Sequence, residues 1–469
     1  MKRFACLLAH LWTLPLIGSG CGFEPEAEVR MPTQPPSLAI LSPKEDKTYF
    51  VGLEPITAAV EASDPLGRVE VEIFLEERSL GVLGSAPYEF PLALDKVLVD
   101  DSLERRLTLR VEARGPSGRS ASQSRSFQVT RRVLWTRPMK GPLLGSPAPM
   151  GEQVLVTTAD GKVVSFRSTG EEDFRFQADN AVVAPASMLT GGAGVLNFVI
   201  GDIQGVVYQI GPKGKLVTSK VLGAKPGAIS APITGDGSNS TQGQLHAPML
   251  DGRVNSFTLA NPTPSTLACI RDQKLRLPIL ESLAVYEDGV VASCAVAQPT
   301  TAFYDPGEKS FWTPPARRLS ATGGAAVLLG GRDGKLYEFT PAAVTKPQII
   351  ASLTHGAILT RPFVAEDKTL FVATEQGMLY RLSEIGDILW KISDPGATWL
   401  EPTATDSMVY TATAGGVVRA YPLHDRSTPR PVWQLALGKP LQDRPVILHG
   451  ILYVSSAEDK GTLFALDAR

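Results

Sequence analysis

The chain has 469 residues, more than a single hydrophobic core usually supports, so at least two domains are expected. Hydrophobic residues make up 43% and charged residues 20% of the chain, which excludes wholesale disorder. With a formal net charge of −2, five histidines and four cysteines, the sequence predicts neither a nucleic-acid-binding surface nor a Cys/His-rich metal protein.

The first 20 residues have the order of a secretory signal peptide. Lys2 and Arg3 form a charged start, and Ala5–Ile17 is an apolar run that is too short to cross a bilayer. Small residues follow and lead directly into Cys21. We therefore predict that residues 1–20 are removed. Taken alone, this order also fits ordinary cleavage that leaves Cys21 as a free thiol.

The segment around Cys21 resembles the lipobox of bacterial lipoproteins, in which this cysteine is acylated before the peptidase cleaves. Gly18 departs from that motif, which usually has Leu three residues before the cysteine. The resemblance implies a lipid anchor on Cys21, and two or three acyl chains would hold the protein stably at a membrane. Gly22 stands where many inner-membrane lipoproteins have Asp, which implies the outer membrane, on its periplasmic face or at the cell surface.

Two regions of different character follow the cysteine. Residues 21–36 are acidic and proline-rich with few apolar side chains, which is typical of a flexible tether. In residues 37–130, apolar and polar residues alternate, as in the run from Val69 to Ile73, which is the period of a half-buried strand. About seven such strands in this length predict a β-sandwich.

The region 37–130 resembles bacterial Ig-like domains in the turn that starts at Asp64 and in the segment Ala86–Tyr88. It lacks the cysteine pair and the core tryptophan of antibody domains, so the resemblance is one of architecture. Asp64, Asp100 and Asp101 could bind calcium at one end of the sandwich. Solvated loop acids are the commoner role for such carboxylates, and this alternative stays open.

The remainder of the chain is built from repeats of about 42 residues. Each repeat has an apolar strand, a tight turn with glycine, and an alternating strand that ends in an aromatic or aliphatic residue. The turn glycines are Gly161, Gly205, Gly252, Gly334, Gly377, Gly416 and Gly461. The interval between Gly252 and Gly334 spans two repeats, and residues 290–304 supply a degenerate copy without the glycine turn. The sequence therefore predicts eight copies.

Two further features recur in phase with the glycine turns. Most copies open with a small or charged residue followed by proline, or with Leu-Pro. These pairs are Ser146-Pro147, Ala184-Pro185, Ala231-Pro232, Leu277-Pro278, Arg361-Pro362, Glu401-Pro402 and Arg444-Pro445. In the fifth copy we place Leu319-Ser320 at this position. Strands between copies often hold a tryptophan, namely Trp135, Trp312, Trp390 and Trp433, and we expect these side chains to pack within the blades.

Repeats of this length with about four strands each are typical of a β-propeller. Residues 131–469 resemble the quinoprotein-like eight-bladed β-propellers, which include PQQ-dependent alcohol dehydrogenases and BamB-type outer-membrane lipoproteins. The predicted fold class is therefore all-β, with an Ig-like β-sandwich followed by an eight-bladed β-propeller. The last copy has no tryptophan strand after it, so we predict that Val133–Thr136 supplies the outer strand of the final blade and closes the ring.

Residues that would support catalysis are mostly missing. The PQQ enzymes that the chain resembles hold calcium with converging acidic residues, stack the quinone on a tryptophan and cap it with a disulfide between adjacent cysteines. Only Cys269 and Cys294 lie in the propeller region, where they either form a disulfide or remain two buried thiols. The loop from Gly235 to Thr241 offers one carboxylate, so a mobile turn is favoured there over a calcium loop.

The other polar candidates are spread over separate repeats. The histidines of the propeller are His246, His355, His424 and His449, and the turn aspartates are Asp160, Asp202, Asp251 and Asp333. The histidines have no metal-ligand spacing, and carboxylates at these positions favour the turn itself. We therefore expect no bound metal, no cofactor, no enzymatic activity and no asymmetric cluster of the kind that active sites need.

Three functions are compatible with this sequence. The leading one is a membrane-anchored, non-enzymatic binding or scaffold protein whose propeller contacts an envelope protein or polysaccharide, and not nucleic acid. The second is a BamB-like outer-membrane protein assembly factor, although the Ig-like region departs from that plan. The third is a PQQ-dependent dehydrogenase, which the missing residues disfavour. Phe303 and Tyr304 in the degenerate copy form a candidate contact surface, with blade core as the alternative.

Overall fold

The structure is a computed structural model. It describes residues 34–51, 56–94, 103–190, 196–223, 227–235, 245–251, 253–258, 265–268, 270–271, 275–276, 284–286, 289–291, 313–319, 324–340, 347–424 and 429–469. The chain divides into two compact units, one with residues up to 45, 57–92 and 107–126, the other with residues 46–56, 93–106 and 127–469. A short 3-10 turn lies at Pro212–Gly214. No helix in the described part of the chain has the length and apolar character to span a membrane.

The described residues between 37 and 130 form two sheets from eight strands. The strands are β1 (Ser37–Ser42), β2 (Thr48–Phe50), β3 (Ile56–Ser63), β4 (Glu70–Leu75), β5 (Arg78–Leu83), β6 (Tyr88–Leu92), β7 (Glu104–Arg114) and β8 (Ser120–Thr130). One sheet has the order β1-β3-β6 and the other the order β2-β8-β7-β4-β5. Val71 and Ile73 are fully buried whereas Glu70 is exposed, which confirms the predicted alternation. The Ig-like character of this region and its boundaries stay predictions.

The repeats form seven four-stranded sheets in the part of the chain that the structure describes. The first three consist of β10–β13 (Leu143–Met150, Gln153–Thr158, Lys162–Arg167, Glu172–Gln177), β14–β17 (Ser187–Thr190, Leu196–Gly201, Val206–Ile210, Leu216–Val221) and β18–β21 (Thr234–Gly235, Leu245–Pro248, Arg253–Phe257, Ser265–Ala268). Two short hairpins follow, β22–β23 (Ile270–Arg271, Leu275–Arg276) and β24–β25 (Ala284–Tyr286, Gly289–Val291).

The second half of the ring continues the same pattern. Its sheets are β26–β29 (Ala316–Leu319, Ala325–Gly330, Lys335–Phe339, Gln348–Ser352), β30–β33 (Phe363–Val364, Leu370–Ala373, Met378–Leu382, Ile388–Ser393), β34–β37 (Thr403–Ala404, Met408–Ala412, Val417–Pro422, Trp433–Ala436) and β38–β40 (Val446–Leu448, Ile451–Ser455, Thr462–Asp467) with β9 (Val133–Pro138). Most of the predicted fourth copy lies outside the described residues, so the count of eight blades stays a prediction.

The last sheet closes the ring with the strand that precedes the first repeat. Strand β9 pairs antiparallel with β40, and Trp135 lies opposite Ala465 while Thr136 lies opposite Phe464. This pairing confirms the predicted role of Val133–Thr136. It occupies the hydrogen-bonding edge that β40 would otherwise expose, which is how a propeller is closed without a disulfide.

Clusters of buried apolar side chains join neighbouring sheets. Phe174 on β13 and Phe198 on β15 stack with ring centroids 5.9 Å apart, and Trp135 on β9 packs against Phe166 of the first sheet. Trp390 and Trp433 occupy the equivalent outer strands, and all three tryptophans are at least 94% buried. The predicted role in blade packing is therefore confirmed for them, whereas Trp312 lies outside the described residues.

The turn aspartates and glycines behave as the repeat predicts. Asp202 accepts hydrogen bonds from the backbone amides of Gln204 and Val206 at 2.9 and 2.8 Å, and Asp333 accepts one from that of Lys335 at 3.2 Å. Five of the turn glycines, Gly161, Gly205, Gly334, Gly377 and Gly416, have positive φ, the left-handed region in which a Cβ is unfavourable. The carboxylates thus stabilise the turns.

Candidate functional site

Residues in or just before the first strand of each described four-stranded sheet line one cavity of about 460 Å³. Its wall includes Gly145–Pro149 from the first sheet, Val183–Ala186 from the second, and Arg361, Glu401 and Arg444 from the last three. All seven four-stranded sheets contribute to it. The cavity therefore lies where the inner strands of the propeller meet, which is a common place for ligands in ring-shaped folds.

The recurring prolines explain why the chain lines this cavity so regularly. Proline fixes φ, lacks the amide hydrogen, and pushes the residue before it into an extended conformation. An inner strand has a free edge towards the cavity, and proline is tolerated at such an edge because it has no donor to leave unpaired. The backbone geometry is thus set by the proline, while the residue before it is free to vary.

In the fifth copy, the structure places the residue before proline at a different position from the one expected from the sequence. Thr313 Oγ1 accepts a hydrogen bond from the amide of Gly330 at 2.8 Å, as Thr360 Oγ1 does from the amide of Ala373 at 2.9 Å. Thr313 is therefore the equivalent of Thr360, and the residue after it, Pro314, lines the cavity. The placement of Leu319-Ser320 at this position is wrong, because Leu319 ends strand β26 opposite Ala325.

The cavity wall is charged on one side and nearly neutral on the other. Described residues from the last three sheets contribute two arginines and two acids, whereas those from the first three contribute small or apolar residues. The charged residues are Arg361, Glu401, Asp443 and Arg444. The expectation that no asymmetric cluster exists is therefore wrong. These residues come from three different repeats, and only the closure of the ring brings them into one cavity.

Two of the charged residues form an ion pair. Arg444 Nη1 donates to Glu401 Oε1 at 3.0 Å, and the Glu401 side chain is only 14% exposed. Burial raises the pKa of the Glu401 carboxyl, an effect that the positive charges of Arg444 and Arg361 oppose. The backbone amide of Arg444 donates to Asp443 Oδ1 at 2.8 Å. A cavity with fixed opposite charges can bind a ligand by charge and hydrogen bonds.

The residues present do not fit PQQ, the cofactor of the enzymes that the repeats resemble. In the described ranges no three His, Cys, Asp or Glu side chains are grouped so that they could hold a metal ion. None of the described residues that line the cavity is a tryptophan, and Trp135, Trp390 and Trp433 lie on outermost strands. The arrangement thus offers neither a calcium ligand set nor a stacking ring.

Several predicted site residues lie outside the described residues. These are Cys21, Asp100, Asp101, Cys269, Cys294, Phe303, Tyr304 and residues 236–241 of the glycine-rich loop. Asp64 is described, and its carboxylate accepts a hydrogen bond from the amide of Leu66 at 2.8 Å, which is a turn-stabilising role.

Three of the histidines make contacts within the ring. His246 Nδ1 lies 2.7 Å from Ser256 Oγ, and His449 Nδ1 lies 3.3 Å from Glu152 Oε2. His355 contacts the hydroxyl of Tyr380. Each of these contacts is thus separate from the others, as the sequence predicted.

Comparisons with known proteins agree with the propeller fold. A family model described as "Outer membrane protein assembly factor BamB" matches residues 340–428. The crystal structure of BamB from Moraxella catarrhalis superposes with a TM-score of 0.50 at 13% sequence identity, covering 71% of this chain and 99% of that one. A computationally designed protein, Ika8, superposes with a TM-score of 0.54 at 11% identity, covering 70% of this chain and 98% of that one. No curated protein matches this chain in sequence.

Proposed function

We propose that this protein is a lipid-anchored envelope protein that takes part in outer-membrane protein assembly by binding a protein partner through its propeller. The observation that carries this proposal is the match of residues 340–428 to the BamB family model. The coverage of nearly all of a solved BamB chain supports it. These comparisons favour the assembly role over the more general scaffold role that the sequence placed first.

We further propose that the propeller binds and does not catalyse. Two of the four charged residues in the described cavity wall, Glu401 and Arg444, are engaged with each other in an ion pair. No described residue of the wall is a histidine or cysteine that would act as base or nucleophile. A titration with PQQ and calcium, followed by absorbance and by reduction of an artificial electron acceptor, tests this. We expect no spectral change, and turnover of an alcohol or sugar would contradict the proposal.

A second candidate function is a broader envelope scaffold. The two sheets of residues 37–130 favour it, because the match to BamB accounts for nearly all of that protein but only 71% of this one. In this role the Ig-like region would be a spacer or a second contact surface, with an envelope protein or polysaccharide as partner.

Affinity purification from detergent-solubilised envelope separates the two candidates. The full chain carries a C-terminal tag, and we expect proteins of the outer-membrane assembly machinery to co-purify with it. A preparation that contains polysaccharide or unrelated envelope proteins instead would favour the scaffold role and contradict the assembly role. The same tag on an unrelated outer-membrane lipoprotein serves as the control for nonspecific capture.

The proposed anchor is tested by Cys21→Ala. This variant lacks the thiol that would be acylated, so we expect it to move from the membrane fraction to the soluble envelope fraction. Cys6→Ala is a matched control, because Cys6 lies within the apolar run of the signal peptide and its loss leaves the anchor site intact. Equal membrane retention of the Cys21 variant would contradict a lipid anchor at this residue.

A further inference from the structure

The cavity wall holds two charges of opposite sign that the protein itself leaves open. Arg361 is partly exposed and lines the cavity, and its charge acts on Glu401 without a direct hydrogen bond or close ion pair to any described residue. Asp443 accepts the backbone amide of Arg444 through Oδ1, and no described residue bonds to its Oδ2. Glu401 and Arg444, in contrast, satisfy each other. One guanidinium and one carboxylate are therefore available to a ligand.

The chemistry of these two groups restricts what the cavity accepts. A guanidinium presents a planar fork of donors that matches a carboxylate, and the match strengthens where water is partly excluded. The carboxylates of Glu401 and Asp443 lie on the same side of the wall and repel a multiply charged anion such as phosphate or sulfate. An ammonium group on the ligand would find its partner in Asp443. The lining thus selects for a ligand with both charges.

We propose that this cavity binds a small zwitterion, either a free amino acid or a short peptide with both ends free, with its carboxylate on Arg361 and its ammonium on Asp443. The cavity volume of about 460 Å³ is in the range of small-molecule sites. The opposite wall is made of small residues such as Ser146, Ala184 and Ala231, which leave room for side chains of the ligand. This inference goes beyond the proposed assembly role and does not depend on it.

The first test is isothermal titration calorimetry of the full chain, purified in detergent, with alanine, alanyl-alanine and trialanine. We expect saturable binding of at least one of these probes. N-acetylation or C-terminal amidation of the best probe should weaken binding roughly tenfold or more, because each removes one charged hydrogen bond. Absence of saturable binding for all three probes would overturn the proposal, as would equal affinity for the blocked and free forms.

The second test assigns each end of the ligand to a residue. Arg361→Gln should weaken binding of the free probe and of its N-acetylated form, whereas Asp443→Asn should weaken binding of the free probe alone. Arg430→Gln is the matched control, because Arg430 is exposed and does not line the cavity. Thermal unfolding of each variant confirms that the ring is intact. Unchanged affinity in folded Arg361→Gln protein would overturn the site, whatever partner the full chain co-purifies with.

Discussion

The outer strands and the inner strands of the propeller differ in how much their equivalent residues vary from copy to copy. Three of the described outer strands carry a tryptophan, and Trp135, Trp390 and Trp433 are all buried. On the inner strands the equivalent positions before proline differ, as Ser146 and Glu401 show. The difference teaches that the residue recurring on outer strands is kept by packing. At the cavity, proline sets the backbone, so the side chain before it can be small or charged without disturbing the strand.

The largest loss of stability is expected on the outer strands at the rim, where a tryptophan recurs. Trp135→Ala removes a side chain that is 6% exposed and packs between Phe166 and Tyr453, with ring centroids 6.1 and 5.8 Å away. It also removes the hydrogen bond that Trp135 Nε1 donates to the carbonyl of Ser168 at 2.7 Å. We expect the free energy of unfolding of the propeller to fall by about 3–5 kcal/mol in urea titrations followed by circular dichroism.

The neighbouring residue provides the control for this variant. Leu134 lies on the same closing strand but is 43% exposed, so Leu134→Ala should change the free energy of unfolding by no more than about 0.5 kcal/mol. If both variants lose the same stability, strand β9 contributes through its backbone pairing with β40 and the rim tryptophan is not the reason for its recurrence.

An intermediate effect is expected at the turns, which recur like the rim tryptophans. Gly416 has φ +92°, and an added Cβ would overlap the carbonyl oxygen of Lys439. Gly438 has φ +71° but has open space around it. Both Gly→Ala variants lose about 1–2 kcal/mol because alanine is disfavoured at positive φ. Gly416→Ala should lose a further ~1–3 kcal/mol from overlap.

Thermal and urea unfolding of the two glycine variants measure this difference directly. The pair separates backbone strain from steric contact, because only the contact differs between the two sites. Equal losses of stability in both variants would show that Gly416 is required only for its positive φ. The turn would then adjust to the added methyl group.

The smallest effect is expected in the cavity, at Glu401. Burial raises the pKa of this carboxyl in the folded protein, so the folded state holds the proton to a higher pH than the unfolded state does. The resulting contribution to stability is complete below the unfolded pKa of about 4.3 and is lost as the pH rises through the folded pKa. Stability measured from about pH 4 to about pH 8 should therefore fall relative to Glu401→Gln, which cannot ionise.

A variant of an exposed glutamate serves as the control for the stability measurements on Glu401→Gln. Glu366 is an exposed residue between β30 and β31, and Glu366→Gln is the control for the loss of one surface carboxyl. If the unmodified protein instead gains stability over Glu401→Gln as the pH rises, the ion pair with Arg444 outweighs the cost of burial. The pKa of Glu401 would then be lowered in the folded state.

Much of the fold could be predicted from the sequence, and less of the site. The glycine turns, the tryptophan strands and the closing strand Val133–Thr136 recur or fit at fixed spacing, and each feature acts through its local neighbours, so periodicity alone identifies them. The residues before proline could also be identified in the sequence, because the residue–proline pair recurs in most copies. The sequence did not predict that Arg361, Glu401 and Arg444 line one cavity, because each residue is one repeat away from the next.

The amino-acid sequence by itself determined the strand periodicity, the turns and the way the ring closes, since these follow from patterns of burial and backbone preference within about one repeat. Only the tertiary structure decided which pre-proline residues line one cavity and which of them form an ion pair. The physical reason is that charge interactions depend on distance in space and on burial. In a ring of repeats, residues from the last three copies approach each other only after the blades have packed against their neighbours.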